Sequence, residues 1–255
     1  MNSVLGKPFI RSDSLEKVSG QARYTADLTT TGLLHAKFLY SEHPHARIRS
    51  IRTEKAKALP GVHAVLTQAD VPSVRYGAFI KDRTLFADGI VRFESEIVAA
   101  VAAQTEEVAA QACRLIEVDY ELLPSILDPE IALSANSELV HTDWQTYEVA
   151  DGIERERNDC GYMTTVKGDI NAGFSEADVV VKDTFRSDMS HAVPIEPRSI
   201  LAEWQGGKVT IWSSTQAPYP ARSGVAETLQ IPEGSVRIVV PHLGGGFGGK
   251  CGFHF

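Results

Sequence analysis

The stretch that decides the fold is the apolar run Ser235-Val236-Arg237-Ile238-Val239-Val240, followed by Pro241-His242-Leu243-Gly244-Gly245-Gly246-Phe247-Gly248-Gly249-Lys250. The run favours a buried β-strand, and six of the nine residues from 244 to 252 are glycines. Glycine adds no side chain to a core and loses more backbone entropy on folding than any other residue. The pattern therefore predicts that a phosphate or another electron-rich ligand lies close to the N–H groups of this loop.

Two nucleotide-binding patterns fit the letters of residues 244–250, which we call the glycine loop. Gly244, Gly246 and Gly249 satisfy G-x-G-x-x-G, and the whole loop satisfies G-x-x-x-x-G-K. The first pattern needs a helix and an acidic residue about 20 positions further on, whereas five residues follow Lys250. The second pattern needs Ser or Thr where this chain has Cys251. A phosphate-loop nucleotide module is therefore only an alternative.

Composition favours a soluble globular protein of two domains. The chain has 255 residues, 43% of them hydrophobic and 23% charged. A net charge of −8 without a basic stripe argues against nucleic acid as a partner. Three scattered cysteines without a C-x-x-C pair favour a reducing, cytoplasmic location. No apolar run reaches the length of about 18 residues that spans a membrane, so we expect no membrane insertion.

Local patterns predict an α+β fold. Strands are predicted over residues 34–40, 45–51, 62–66, 96–103, 116–122, 178–185, 208–212 and 235–240, and helices over 54–59, 106–115 and 221–229. Thr105 is placed to cap the helix at 106–115.

These elements predict four segments along the chain. A polar, extended arm covers residues 1–19, and an α+β domain covers 20–125. A loop-rich linker over 126–165 leads to a second domain over 166–255.

Two further groups of residues are candidates for chemistry. Residues 213–218 connect a predicted strand to a helix, and the amide of Gln216 can both donate and accept a hydrogen bond. The alternative is a polar turn with a capping Ser or Thr. Ligands often bind at such strand ends, so this loop and the glycine loop are able to face one ligand. His191 and Glu196 either orient a ligand or form a buried pair.

Six stretches occur in the order typical of one protein family. They are residues 20–28 (Gly-Gln-Ala-Arg-Tyr-Thr-Ala-Asp-Leu), 41–48 (Ser-Glu-His-Pro-His-Ala-Arg-Ile), 60–65 (Pro-Gly-Val-His-Ala-Val), 191–197 (His-Ala-Val-Pro-Ile-Glu-Pro), 214–216 (Ser-Thr-Gln) and the glycine loop. This series resembles the molybdopterin-binding large subunit of the xanthine dehydrogenase and aldehyde oxidase family. The resemblance implies an α/β hammerhead domain over 20–125, followed by the start of a mixed α/β molybdopterin-binding domain.

The resemblance also implies the site and its cofactor. Cofactor-binding residues would be Gln216, also the predicted catalytic group, together with Gly245, Gly246, Phe247 and Gly248. The residues predicted to support them are His191, Glu196 and Lys250. Molybdenum would be held by the dithiolene sulfurs of the cofactor, with no protein metal ligand.

Members of the family hydroxylate aldehydes or N-heterocycles with oxygen from water. Electrons then pass to iron–sulfur clusters and a flavin (FAD), so we expect an iron–sulfur subunit and an FAD subunit as partners. A glutamate follows the lysine of the glycine motif in purine-oxidising members, but this chain has Cys251 there, which argues against a purine substrate.

The catalytic glutamate of the family lies far beyond the matched region. We therefore expect a C-terminal counterpart of the molybdopterin subunit, without which the chain is inactive. A non-catalytic assembly or scaffold role is the alternative.

Overall fold

The computed structural model describes residues 6–251 and confirms the α+β class. Its elements, in chain order, are α1 (Ser14–Val18), β1 (His35–Tyr40), β2 (Ala46–Arg52), α2 (Glu54–Lys57), β3 (Val62–Thr67), β4 (Ile90–Val91), β5 (Ile97–Ala103), α3 (Glu106–Leu115), β6 (Glu117–Leu122), α4 (Pro129–Ala132), α5 (Ile170–Glu176), β7 (Ile200–Gln205), β8 (Lys208–Ser213), α6 (Pro218–Leu229) and β9 (Val236–Val239). Within residues 6–251, none of the helices has the length and apolar character to cross a membrane.

The contacts divide the described residues into two units. The larger unit comprises residues 31–190 and 227–230, and the smaller comprises 6–30, 191–226 and 231–251. The boundaries predicted from sequence for the arm (1–19), hammerhead domain (20–125), linker (126–165) and molybdopterin-binding domain (166–255) stay predictions.

The first sheet of the larger unit has the order β1-β5-β3, with both pairings antiparallel. Its central strand, β5, consists of small apolar residues and is mostly buried. Helix α3 packs on this sheet, and the hydroxyl of Thr105 caps it by accepting the N–H of Val108 at 3.2 Å, as predicted. Cys113 of α3 lies in this core, and burial raises the pKa of its thiol. The thiol therefore acts as a small apolar group.

The second sheet of the larger unit has the order β4-β2-β6 and is also antiparallel. Ala46 of β2 and Val91 of β4 form a buried cluster with Ala87 and with Val98 of β5. The predicted strands β1, β2, β3, β5 and β6 are all confirmed to within one residue at each end. Strand β4 was not predicted because two residues carry no periodicity.

Residues 126–165, predicted as a linker, contain helix α4 and a buried aromatic side chain. Tyr147 is buried, and its hydroxyl donates to Oδ1 of Asp143 at 2.7 Å. Arg75, from the region between β3 and β4, donates to Oδ2 of Asp143 at 2.5 Å. These contacts attach the segment to the rest of the larger unit.

The strand predicted over residues 178–185 is wrong, because the structure has irregular, exposed backbone there. A strand needs a partner for its N–H and C=O groups, and the described chain offers none at this position. The helix that precedes it, α5, was not predicted; the side chain of Asp169 caps it by accepting from the N–H groups of Asn171 and Ala172.

The N-terminal arm, predicted as extended, contains the short helix α1. Asp13 and Lys17 form an i,i+4 ion pair at 2.7 Å across it. Glu16 contacts Nε2 of His242 at 2.9 Å, so the arm is ordered by a residue distant in sequence. Residues 1–5 lie outside the described chain.

The smaller unit is built on the sheet β7-β8-β9. Strands β7 and β8 form an antiparallel hairpin whose turn is Gly206-Gly207, both with positive φ, as a tight two-residue turn requires. Strands β8 and β9 are parallel and connected through α6. The core between this helix and the sheet contains Val209, Val225, Ala226 and Val236. Because parallel strands end at the same edge, the loops after β8 and β9 both begin there.

Candidate functional site

Gln216 and the glycine loop are joined by hydrogen bonds in the smaller unit. The side-chain oxygen of Gln216 accepts the N–H of Gly248 at 3.1 Å and that of Lys250 at 3.3 Å. In return, the backbone N–H of Gln216 and the hydroxyl of Thr215 donate to the C=O of Lys250 at 2.9 and 3.2 Å. The two loops that the sequence placed at neighbouring strand ends therefore form one structural site.

These contacts fix the orientation of the Gln216 carboxamide. Two N–H donors point at Oε1, so the reversed orientation would place the amide NH₂ against other donors. The NH₂ group has no hydrogen-bond partner among residues 6–251, and the side chain is exposed. The Gln216 side chain is thus held through its acceptor oxygen, and its donor group is unpaired within the described residues.

Three consecutive backbone N–H groups in the glycine loop are also unpaired. Those of Gly245, Gly246 and Phe247 find no acceptor within the described chain, whereas the N–H groups of Gly244 and Gly248 do. Gly245 and Phe247 have φ of +96° and +49°. Successive N–H groups in such a backbone form a concave surface that binds anions and electron-rich atoms.

The loop requires glycine because side chains approach its backbone closely. A Cβ at Gly246 would lie 2.3 Å from both Cδ and Oε1 of Gln216. A Cβ at Gly244 would lie 2.5 Å from Cβ of Glu196. Real Cβ atoms do not approach other heavy atoms within 3.0 Å, so any larger residue would displace Gln216 or Glu196.

Glu196 connects the two ends of the glycine loop. Its Oε2 accepts the N–H of Gly244 and the ammonium group of Lys250, each at 2.8 Å. The Glu196 and Lys250 side chains are only 8% and 2% exposed. The other carboxylate oxygen, Oε1, is buried and has no partner in the described part of the chain. Lys250 therefore has its charge balanced within the protein, unlike the phosphate-binding lysine that the nucleotide alternative needs.

His191 is not brought to Glu196. It is exposed, and its Nδ1 accepts the N–H of Val193 at 3.0 Å. The buried His191–Glu196 pair that the sequence left open as an alternative is wrong, because Glu196 pairs with Lys250 instead. Within residues 6–251, no group of three or more His, Cys, Asp or Glu side chains is arranged to hold a metal ion.

The larger unit contains a polar network that the sequence did not reveal. Nδ1 of His141 lies 2.7 Å from the hydroxyl of Tyr147, which donates to Asp143, so His141 must donate from Nδ1. Burial, with the positive charge of Arg92, lowers the pKa of His141 to about 4. Burial and the bond to Asp143 raise the pKa of Tyr147 to about 12.

The pKa of Asp143, in contrast to that of Tyr147, is lowered. Burial alone would raise the pKa of this carboxyl, but hydrogen bonds from Arg75 and Tyr147 outweigh it and lower the pKa to about 2. No short sequence motif signals the network, because its members are separated by up to 72 residues.

Two parts of the chain each match the model of a known protein family. Residues 19–124 match the family model of the aldehyde oxidase and xanthine dehydrogenase a/b hammerhead domain. Residues 153–255 match that of the molybdopterin cofactor-binding domain. The nicotinate dehydrogenase large molybdopterin subunit of Eubacterium barkeri is 37% identical over 249 residues, covering 97% of this chain and 56% of that protein.

Two solved structures have the same fold over nearly the whole chain. Reconstituted CO dehydrogenase from Oligotropha carboxidovorans gives a TM-score of 0.84 at 35% identity and covers 96% of this chain and 32% of its own. Quinoline 2-oxidoreductase from Pseudomonas putida 86 gives 0.79 at 32% identity, covering 96% and 31%. The chain thus spans about half of the nicotinate dehydrogenase subunit and about a third of the other two.

The fold and the two matched domains define the class of chain: a hammerhead domain followed by a molybdopterin cofactor-binding domain. The chain belongs to the xanthine dehydrogenase and aldehyde oxidase family and corresponds to the N-terminal portion of its molybdopterin-binding large subunit. The predicted resemblance and the predicted order of hammerhead and molybdopterin-binding domains are confirmed.

Proposed function

We propose that this chain provides one wall of the molybdopterin-cofactor site in a molybdenum hydroxylase that oxidises an aldehyde or an N-heterocycle with oxygen from water. The observation that carries the proposal is the set of donors described above. The NH₂ group of Gln216 and the N–H groups of Gly245, Gly246 and Phe247 are unpaired in the described chain and belong to one hydrogen-bonded site.

These donors fit the expected cofactor. A molybdopterin carries a phosphate and several electron-rich oxygen and sulfur atoms, which accept hydrogen bonds from a surface without protein metal ligands. The buried Oε1 of Glu196, which also lacks a partner in the described residues, is an acceptor for a pterin N–H. Glycine at position 246 allows the Gln216 side chain to lie against the backbone of the loop, where a Cβ would displace it.

The residues of this chain bind and orient, whereas the bound cofactor supplies the two-electron chemistry. Gln216 donates a hydrogen bond to an acceptor on the cofactor, close to where the reaction takes place. Gly245 and Gly246 bind through their backbone N–H groups, and the exposed ring of Phe247 packs on the ligand. Gly248, Lys250 and Glu196 hold Gln216 and the loop in this arrangement. His191 is exposed and is hydrogen-bonded to Val193 rather than to Glu196. In the proposal, it contributes from the rim of the site.

The complete enzyme requires further polypeptide. In the proposal, a C-terminal portion of the molybdopterin subunit closes the site and provides the catalytic base. An iron–sulfur subunit and an FAD subunit accept the electrons, and the assembly is cytoplasmic. The substrate is a small aldehyde or heterocycle rather than a purine, because Cys251 occupies the position of the purine-orienting glutamate.

Molybdenum content and turnover test the proposal. The assembly should be purified through a tag on this chain, alongside the chain alone, and each assayed for molybdenum and for aldehyde and N-heterocycle oxidation. We expect stoichiometric molybdenum and turnover only in the assembly. Redox partners without molybdenum would indicate a scaffold, and stoichiometric metal with turnover in the chain alone would show that it needs no counterpart.

A further inference from the structure

His242 lies two residues before the glycine loop and is held by residues near the start of the chain. Its backbone N–H donates to the C=O of Arg23 at 3.3 Å, and Tyr24 and His242 form a parallel β-bridge. The rings of Tyr24 and His242 are also in contact, with centroids 6.0 Å apart. The backbone at residues 23–24 is therefore paired with the segment that follows β9.

Glu16 adds a side-chain contact at the same point. Its Oε2 lies 2.9 Å from Nε2 of His242, and because a carboxylate only accepts, Nε2 carries the proton and donates. The backbone C=O of Glu16 accepts the N–H groups of Gln21 and Ala22, both at 2.9 Å. One residue of α1 therefore holds both the histidine and the start of the segment that pairs with it.

Little else attaches α1 to the smaller unit. The helix has no buried residue, and its apolar side chains Leu15 and Val18 are 72% and 83% exposed. Within the described chain, the other hydrogen bonds and ion pairs of residues 6–20 all lie between residues 11 and 22. Because few apolar contacts hold the helix, the bond between Glu16 and His242 contributes a large share of its attachment.

The contacts of His242 reach the glycine loop through a single residue, Leu243. The N–H of Gly244 donates to Oε2 of Glu196, and its C=O accepts the N–H of Glu196 at 3.3 Å. The start of the loop is thus held at two points, which are separated by at most about 7 Å of extended chain. The unpaired N–H groups of residues 245–247 follow directly, so their direction depends on how the loop begins.

We infer that Glu16 and His242 are positioning residues for the proposed cofactor site. They fix the backbone at residue 242, and through it the start of the glycine loop and the direction of its N–H donors. Neither side chain belongs to the set of groups proposed to contact the ligand. The inference rests on the proposed function for the identity of that ligand, a molybdopterin, but the coupling between α1 and the loop does not depend on it.

Matched substitutions on α1 provide the first test, made in the assembled enzyme. Glu16→Ala removes the acceptor for His242 and should release molybdenum during dialysis about fivefold faster, as expected for one partly exposed hydrogen bond. Glu16→Gln keeps an uncharged acceptor and should restore most of the retention. Lys17→Ala breaks the ion pair with Asp13 on the same helix and should release molybdenum at the wild-type rate. Equal release from Glu16→Ala and Lys17→Ala would overturn the inference.

A double-mutant cycle tests whether the two residues act as a pair. His242→Gln keeps a side-chain donor toward Glu16, whereas His242→Ala removes it. We expect His242→Ala to add little to the effect of Glu16→Ala, because each substitution removes the same contact. Fully additive effects on molybdenum release would contradict the pairing.

Amide hydrogen exchange separates positioning from a general loss of stability. In the molybdenum-free assembly, the amides of His242 and Gly244 should exchange about fivefold faster in Glu16→Ala than in Lys17→Ala. The amides of β8 and β9, and the midpoint of denaturant unfolding, should be the same in the two variants. A uniform rise in exchange across the sheet, or no change at residues 242 and 244, would contradict the inference.

These readouts also distinguish the inference from the proposed function. Faster exchange at residues 242 and 244 in an assembly that never contains molybdenum would support the coupling and contradict the proposed function. An active, molybdenum-loaded assembly in which Glu16→Ala changes neither exchange nor release would do the reverse.

Discussion

The ammonium group of Lys250 lies 2.8 Å from Oε2 of Glu196, and the two side chains are almost completely buried. The same oxygen accepts the N–H of Gly244. One carboxylate thus connects the first and last residues of the glycine loop.

Removing only the cation should destabilise the smaller unit strongly. Lys250→Met leaves the carboxylate of Glu196 buried without its counterion, which typically costs about 3–5 kcal/mol. Adding Glu196→Gln removes the orphaned charge while keeping an acceptor for Gly244, so the double variant should be more stable than Lys250→Met alone. Denaturant unfolding, followed by the fluorescence of Trp204 and Trp212, measures both. Additive effects of the two substitutions would show that the pair is not coupled.

The two hydrogen-bonding functions of Gln216 can be separated by substitution. Gln216→Glu keeps an acceptor for Gly248 and Lys250 but has no donor, whereas Gln216→Ala loses both. In the assembled enzyme, both variants should lower turnover by on the order of 10²-fold, as expected for loss of one preorganised donor. Only the alanine variant should also loosen the loop, at a cost of about 1–2 kcal/mol. Wild-type turnover with normal molybdenum content in Gln216→Glu would remove the donor from the site.

Substitution of Gly246 should affect cofactor binding more than folding. In Gly246→Ala, the new Cβ would lie 2.3 Å from the Gln216 carboxamide, so the amide must move away. We expect molybdenum content in the assembled enzyme to fall about tenfold or more. Gly234→Ala is the matched control, because a Cβ there meets nothing within 4 Å. Equal molybdenum content in the two variants would show that the loop tolerates the displacement.

Phe247 combines an exposed ring with a left-handed backbone. Its side chain is 76% exposed and its φ is +49°, a region that costs non-glycine residues free energy. Phe247→Gly should therefore be more stable than Phe247→Ala by about 0.5–1 kcal/mol, the reverse of the usual order. Both variants should retain less cofactor than the wild type, because the ring packs on the ligand in the proposed site. Thermal unfolding and molybdenum analysis measure the two effects, and the usual Ala-over-Gly order would contradict the strain.

His141 should make stability depend on pH below neutrality. Its pKa falls from the ordinary value of 6.5 to about 4 in the folded chain, so the unfolded chain binds a proton more readily between these values. The stability that neutral His141 contributes is therefore fully present above pH 6.5 and is lost progressively as the pH falls toward 4. Allowing for solvent screening, the loss is on the order of 1–2 kcal/mol.

The pH effect has a matched control. His141→Asn keeps a donor toward Tyr147 and cannot titrate, so it should flatten the dependence between pH 6.5 and 4. His63→Asn makes the same substitution at an exposed histidine and is the control for the substitution itself. Unfolding titrations at several pH values measure both variants, and a wild-type slope in His141→Asn would assign the effect to other groups.

Sequence periodicity correctly predicted the helices and strands whose local apolar pattern matches the contacts that they make in the fold. Strand β5 and helix α3 follow this rule, because small apolar residues and a Thr105 cap specify them locally. The meeting of Gln216 with the glycine loop was also predictable, since both follow strands that a helix connects in parallel. The catalytic and cofactor roles of these residues stay predictions.

The remaining features depend on contacts that a local pattern does not contain. Glu196 and Lys250 are 54 residues apart, and either one alone resembles an ordinary surface charge. The segment at 178–185 shows the opposite case: its pattern is that of a strand, but the described chain provides no strand to pair with it. Sequence predicts what a segment is suited to form, whereas the available partners determine whether it forms.

The parallel pairing of β8 and β9 matches Val209 with Val236 and Trp212 with Val239. A slip of one residue would move the glycine loop by about 3.3 Å and turn the side chains of β9 to the opposite face. A displacement of that size would break the 3.1 Å hydrogen bond between Gln216 and Gly248. Val209 and Val236, which are buried in the core of this sheet, therefore set the spacing between Gln216 and the glycine loop. In a genetic screen, we expect substitutions at these two valines to be recovered as loss-of-function alleles even though both lie outside the glycine loop and its contacts with Gln216.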